Sequence, residues 1–440
     1  MTTMRKILTG VVGLTALAAI GGGAWAWNTL STTRNAVADY STRLADFRST
    51  DEAAIKRGEY VMHAADCSAC HTKGNGDFAG GYEMPTPFGT LVSSNITPDV
   101  DTGIGAMTEK DFFDAVRHGQ GSKGLLYPAM PYTAYVKLTD ADMHDLWAYM
   151  STVQPVAQKI DENAGMPFPF NIRLAMLGWD MLFFKNAPLP VVAGETAEIE
   201  RGRYLVEGPG HCSACHTPRN ALGAEIAAQN LEGARVGAWF APEITGNPHV
   251  GLGESTVQEV AAYLGTGTDG KAMASGPMAE AVEHSLQYMT EDDRLAMAAY
   301  LKSLPGSGKT APAPLAASTP AMARGALAYE VNCSACHGVA GEGMGLLAPA
   351  FAGNHGILAD DVTNLAHVLL VGARAAATNV TPTSAGMPSF AWKMDDRQIA
   401  DVLDYIRNSW GNAAAPVRPE DIGALRSELD AATKLATPLQ

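Results

Sequence analysis

The chain opens on a short polar start that turns apolar at once. Residues 7–27, ILTGVVGLTALAAIGGGAWAW, are 21 apolar or small residues behind Arg5 and Lys6. As a helix that run is about 31 Å long, which matches a bilayer core of about 30 Å. Two readings fit it. One is an uncleaved membrane anchor, with Trp25 and Trp27 at the outer interface and the positive charge inside. The other is a secretory signal cut after the small residues of Ala24-Trp25-Ala26. Either way the rest of the chain is delivered across the membrane.

Beyond residue 51 the pattern becomes helical and repeats. Three segments share an opening: KRGEYVMHAAD (56–66), ERGRYLVEGPGH (200–211) and ARGALAYEVN (323–332), with Arg-Gly at Gly58, Gly202 and Gly325. Three others read as closing helices with their own start signals. Thr139 with Asp142, Thr290 with Asp293, and Asp395 with Gln398 have the spacing of a capping residue and its partner three positions on. In the last of these, Ile399, Val402, Leu403 and Ile406 recur at helical spacing. Tyr149, Tyr300 and Tyr405 fall at equivalent places. A period of about 120–145 residues is that of repeated domains, not of a solenoid.

Composition sets the frame. The chain has 440 residues, 47% of them hydrophobic and 18% charged, enough to build real cores. Its net charge of −15 argues against a nucleic-acid partner. There are six cysteines, and all stand in one pentapeptide, CSACH, at residues 67–71, 212–216 and 333–337. In an oxidising compartment paired cysteines normally become disulfides. Cys-x-x-Cys-His is instead the attachment signal for c-type haem. Two thiols one helical turn apart reach two vinyl groups on one porphyrin edge, and the histidine that follows lies under the iron. Thioether sulfurs cannot form disulfides, so the conflict disappears. A thiol-redox pair does not need the histidine, and a zinc site needs four ligands together, whereas these pairs stand over a hundred residues apart.

The pattern therefore predicts three covalent haem c groups. Cys67 and Cys70, Cys212 and Cys215, and Cys333 and Cys336 would be the attachment residues, and His71, His216 and His337 the axial histidines. Methionine on the opposite face suits electron transfer, since it leaves no open position and raises the potential. Met130 in YPAMPY and Met387 in SAGMPSF each precede a closing helix and are followed by proline, which stiffens the loop. In the second repeat Met278 in ASGPMAE is preferred, with Met273 as the rival. His63 reads as a helix-surface residue, His211 as a neighbour of the haem, and Arg117 or His118 as a contact to a propionate.

With these motifs placed, the chain resembles the triheme cytochrome c subunit of bacterial membrane-bound dehydrogenases, those acting on alcohol, gluconate, sorbitol and fructose. The resemblance covers about residues 52–412 and is carried by RGEYVMHAADCSACHT, TPFGTLVSSNITPD, LYPAMPY, RGRYLVEGPGHCSACHTPRN and AGMPSFAW. It implies an electron-transfer subunit that is not itself catalytic on the organic substrate. It would relay electrons from a partner dehydrogenase subunit to ubiquinone, at the periplasmic side of the cytoplasmic membrane. It supports the same cysteines, histidines and methionines. Rival readings are the same relay for a molybdenum-containing aldehyde or N-heterocycle dehydrogenase, a free periplasmic shuttle, and a haem peroxidase.

The expected architecture is mainly α: three tandem c-type cytochrome domains with an N-terminal apolar helix. The boundaries are 1–27 signal or anchor, 28–51 tether, 52–155 first domain, 156–192 linker with an apolar helix, 193–305 second domain, 306–320 Pro/Ala-rich linker, 321–412 third domain and 413–440 tail. The tail carries a weak apolar stripe of Ile422, Leu425 and Leu429. The linker helix region, PFPFNIRLAMLGWDMLFF at 167–184, holds four Phe and one Trp. Such a stripe marks docking to a partner or membrane in preference to packing between domains, and Arg173 in its middle argues against a true span.

Overall fold

The computed structural model describes residues 42–436, so the apolar run at 7–27 lies outside the described residues. Among those described, no helix is long and apolar enough to cross a membrane. The architecture is mainly helical, with four two-stranded antiparallel ribbons among the described residues.

In the first third, α1 (Glu52–Ala64) starts at Asp51, whose carboxylate accepts from the amides of Ala53 and Ala54. The helical turn α2 (Cys67–His71) follows, then the ribbon β1 (Glu83–Thr86) and β2 (Gly89–Val92). Next come α3 (Glu109–His118), the short ribbon β3 (Gln120–Gly121) and β4 (Gly124–Leu125), α4 (Tyr132–Tyr135) and α5 (Asp140–Met150). Helix α3 carries a full capping box between Thr108 and Asp111. Helix α6 (Met176–Phe183) bridges to the next part.

The middle third repeats the plan with α7 (Ala197–Glu207), α8 (Ser213–His216), the ribbon β5 (Ala234–Val236) and β6 (Trp239–Ala241), α9 (Val257–Thr266), α10 (Pro277–His284) and α11 (Glu291–Ser303). The last third has α12 (Pro320–Asn332), α13 (Ser334–His337), α14 (Thr363–Val371), the ribbon β7 (Ala373–Arg374) and β8 (Gly386–Met387), α15 (Asp396–Arg407) and α16 (Pro419–Ala436). The expected caps are in place: Thr139 accepts from the Asp142 amide, Thr290 from that of Asp293, and Asp395 and Gln398 form a complete capping box.

The Arg-Gly pairs have a structural explanation. A Cβ built on Gly58 would lie 1.9 Å from the Asp145 carbonyl oxygen of α5, one on Gly202 1.9 Å from that of Ala296 in α11, and one on Gly325 2.1 Å from that of Asp401 in α15. Opening and closing helices thus cross backbone to backbone at glycine. Tyr149, Tyr300 and Tyr405 abut the same three glycines, each with its Cβ within 3 Å of the added carbon. Beside the crossing, Arg57 grips Asp145 and Arg324 grips Asp401 with bidentate ion pairs. The middle crossing has Ala296 in place of that aspartate, and Arg201 turns instead to Asp293 in the first turn of α11, at 2.8 and 2.7 Å.

That departure belongs to the contact between the first and middle parts, which is reciprocal. Tyr60, two residues after Gly58, donates to Asp293 and accepts from the Thr290 amide, so it caps α11. Tyr204, two residues after Gly202, donates to Asp142 and accepts from the Thr139 amide, so it caps α5. The same atoms meet in both directions, as in an isologous interface. At the equivalent place in the last part stands Leu327, which is exposed. Helix α16 folds back onto the last core. Ile422 and Leu425 are buried there, and Arg426 binds Asp396 at 2.8 Å and two backbone carbonyls.

Two outcomes are expected. Gly325→Ala should cost about 1–3 kcal/mol by overpacking, although alanine is favoured over glycine by about 1 kcal/mol in an unobstructed helix. A chemical-denaturation midpoint that rises or stays would show that the crossing tolerates a Cβ. Second, the Tyr60 contact should be acid-sensitive. Burial opposes ionisation of Asp293, but the hydrogen bonds from Arg201 and Tyr60 outweigh it and hold the carboxyl below its ordinary value of 3.8. Its stabilisation is therefore complete above that value and is lost as the pH falls through the lower folded-state value. Asp293→Asn should remove that part of the acid dependence from the unfolding curve; an identical acid limb would disconnect Asp293 from it.

Candidate functional site

Each CSACH forms one helical turn within a few residues of the end of an opening helix. The chain bends sharply to enter the first two, with Asp66 at φ 51° and His211 at φ 35°. No disulfide joins any of the six cysteines. Burial pushes the thiols of Cys67, Cys70 and Cys212 up to about 12 and that of Cys333 to about 11. These thiols are held neutral, which is unlike the activated thiolate of a disulfide oxidoreductase. Among the described residues, no group of three or more His, Cys, Asp or Glu is placed to hold a metal ion.

The three histidines share one arrangement. Nδ1 of His71 is 2.7 Å from the Ser94 carbonyl, that of His216 is 2.6 Å from the Pro242 carbonyl, and that of His337 is 2.9 Å from the Pro349 carbonyl. A carbonyl can only accept, so Nδ1 carries the proton and Nε2 keeps its lone pair. Burial outweighs the raising effect of the carbonyl bond, lowers all three imidazoles below their ordinary value and keeps them neutral. A buried neutral ring, fixed in orientation by a backbone oxygen, is how a metal-ligating histidine is held.

The methionines come from different elements. Met130 lies in a turn, its amide bonded to Tyr127 at 3.0 Å and its carbonyl accepting from Tyr132 at 2.8 Å. Met278 stands in the first turn of α10, behind Pro277. Met387 is on β8, opposite Ala373. Each packs with the first cysteine of its own repeat against one core: Met130 with Cys67, Met278 with Cys212, and Met387 with Cys333. Met273 instead pairs across a bridge with Thr268 and lines a cleft with Leu346 and Leu347. Each part thus holds two thiols, an imidazole whose Nε2 keeps its lone pair, and a thioether packed on the same core as the first thiol. That chemistry fits a covalently attached haem c.

The other candidates have partners within the chain. His63 lies at the contact between parts: its ring stacks on Tyr288 with centroids 4.1 Å apart, and its Nδ1 meets the His284 carbonyl at 3.2 Å. His211 is in edge contact with Tyr135 at 5.6 Å. Arg117 binds Asp140 at 2.6 Å and the Leu138 carbonyl, so its guanidinium ties α3 to the start of α5. The residues that orient the histidines were not expected. Their signal was nonetheless present, because Ser-Asn-Ile-Thr at 94–97 and Pro-Glu-Ile-Thr at 242–245 are parallel stretches. Asn95, Thr97, Glu243 and Thr245 are all buried, and the first residue of each stretch supplies the carbonyl.

The cytochrome c family matches residues 199–305 and 322–410, and the family of cbb3-type cytochrome c oxidase subunit III matches residues 53–150. The cytochrome c subunit of gluconate 2-dehydrogenase from Pantoea cypripedii is 40% identical, over 88% of this chain and 92% of its own. The cytochrome c subunit of the quinone alcohol dehydrogenase from Gluconacetobacter polyoxogenes is 39% identical, over 88% of this chain and 86% of its own. A nicotinate dehydrogenase subunit from Pseudomonas putida is 38% identical over 81% of this chain, which spans only 30% of that protein. With that identity along nearly the whole length, and with the cytochrome c model over residues 199–305 and 322–410, the chain belongs to the family of dehydrogenase cytochrome c subunits.

Proposed function

We propose that the chain carries three haem c groups and relays electrons from a catalytic dehydrogenase subunit to ubiquinone, on the periplasmic side of the membrane. The carrying observation is the threefold recurrence of one donor set: two thiols, an imidazole oriented through Nδ1, and a methionine packed on the same core as the first thiol. Cys67 and Cys70, Cys212 and Cys215, and Cys333 and Cys336 would form the thioethers. His71 with Met130, His216 with Met278, and His337 with Met387 would be the axial pairs. When bound, the haem supplies a one-electron couple. The chain attaches it, orients its ligands and closes both faces. It leaves the oxidation of the organic substrate to its partner.

A second reading concerns that partner. The match to a nicotinate dehydrogenase supports the same relay serving an N-heterocycle dehydrogenase. The large subunit that co-purifies with the chain separates the two.

The stripe at 167–184 supports docking at its outer side. Phe168, Leu174 and Leu182 are 79%, 72% and 72% exposed, and side chains of that size contribute about 1.5–3 kcal/mol each when covered. Its inner side is committed elsewhere. Trp179 donates to the Leu222 carbonyl at 2.9 Å, and Asp180 accepts from Tyr132 at 2.7 Å. Packing between parts and an outward apolar face thus coexist in one segment.

Ligation is tested on the mature holoprotein. Its intact denatured mass should show three haems and no free thiol. Met387→Ala should keep three haems but lose one sulfur–iron charge-transfer band and lower one reduction potential. Fewer than three haems after full maturation, or an unchanged redox titration in the variant, would sink this assignment. For docking, replacing Phe168, Leu174 and Leu182 together with serine should leave haem content intact while weakening quinone reduction in membranes. Normal quinone reduction by that variant would remove the stripe from the electron path.

A further inference from the structure

The middle and last parts meet through an aromatic pair that the ligand sets do not use. Trp239 opens β6 and stacks on His367 of α14, with ring centroids 4.0 Å apart and planes 29° from parallel. The contact is built and not incidental. His367 is buried, and its Nδ1 is fixed 2.9 Å from the Ala238 carbonyl. One turn earlier on α14, Asn364 accepts from the Phe240 amide at 2.8 Å and donates to the Phe240 carbonyl at 2.6 Å.

Both ends of this pair lead to a proposed iron ligand. On the middle side, Trp239 lies three residues before Pro242, whose carbonyl orients His216. Its indole also covers Gly276, where an added Cβ would come within 2.4 Å of the ring, two residues before Met278. On the other side, α14 ends at Gly372, where a Cβ would lie 2.6 Å from the Met387 carbonyl. The helix also holds the segment after Met387: the Phe390 amide binds the Leu369 carbonyl at 2.7 Å, and the Ser389 hydroxyl binds that of Leu370 at 2.6 Å. The boundary is clamped beside the rings by Arg374 on Glu283, at 2.7 and 3.0 Å, and by a backbone bridge between Ser275 and Ala375.

We propose that the Trp239–His367 stack is the coupling element between the second and third haem sites, a reading that rests on the ligand assignment above. One electron leaves the reduced iron of one site and arrives at the oxidised iron of the other. Neither ring is oxidised and no proton moves. The rings supply polarisable, closely packed atoms across a boundary that is also crossed by Ala376, buried in the middle core, by hydrogen bonds and by two ion pairs. In this role Trp239 and His367 are positioning residues.

The test is intramolecular electron redistribution in the full three-haem chain, followed by transient absorption after pulse-radiolytic injection of one electron. Trp239→Leu should slow the redistribution phase severalfold while the equilibrium potentials and haem spectra stay as in the wild type. Trp239→Phe should restore most of the rate. If Trp239→Leu does not mature, the comparison is His367→Leu, expected to be slow, against His367→Phe, expected to be fast. Arg374→Ala removes the clamp without touching a ring and should lower stability but keep the rate. An unchanged rate in the leucine variants, or an equal slowing in Arg374→Ala, would overturn the proposal. A wild-type chain lacking three haems or methionine ligation would instead overturn the ligand assignment, so the two failures are distinct.

Discussion

The fold hangs on a backbone contact. Where opening and closing helices cross, glycine lets a helix backbone approach the carbonyl of its neighbour more closely than any other residue permits, and this happens at Gly58, Gly202 and Gly325. The crossing determines where the end of the opening helix lies. The CSACH turn follows within a few residues of that end, so the crossing also places the thiols and the histidine. The closing helix begins after the segment that carries the methionine. The CSACH turn and the methionine segment are thereby referred to one rigid contact.

Orientation then comes from the backbone and not from side-chain partners. A carbonyl cannot change its protonation state, so it holds Nδ1–H of His71, His216 and His337 at any pH at which the chain is folded. A carboxylate in that place would bring a charge and a titration of its own. For a relay whose potentials must stay put, a neutral acceptor is the simpler device.

The three parts are joined by different means. The first and middle parts exchange tyrosine caps in both directions, Tyr60 to α11 and Tyr204 to α5. The middle and last parts meet through a ribbon laid on a helix, with Trp239 on His367 and Asn364 on the strand edge. Leu327, where the last part has no tyrosine, remains at the surface. One repeat unit thus supports two kinds of contact because single residues at matching positions differ.

Much of this was legible from residue order. Three pentapeptides, three Arg-Gly openings and three cap signals are local patterns. Helix starts, the attachment turn and the histidine that follows it depend on neighbours within a few residues, so sequence alone determined them. The tertiary structure decided what depends on residues far apart in the chain. It packed Met278, not Met273, with Cys212 against one core. It turned Arg117 to Asp140, drew His63 onto Tyr288 across the boundary between parts, and buried Ile422 of the tail segment. It also gave residues 167–184 two faces, one committed to Tyr132 and Leu222 and one to solvent. A local signal repeats wherever the local chemistry repeats. A partner brought from a hundred residues away is chosen by packing, and packing is a property of the whole folded chain.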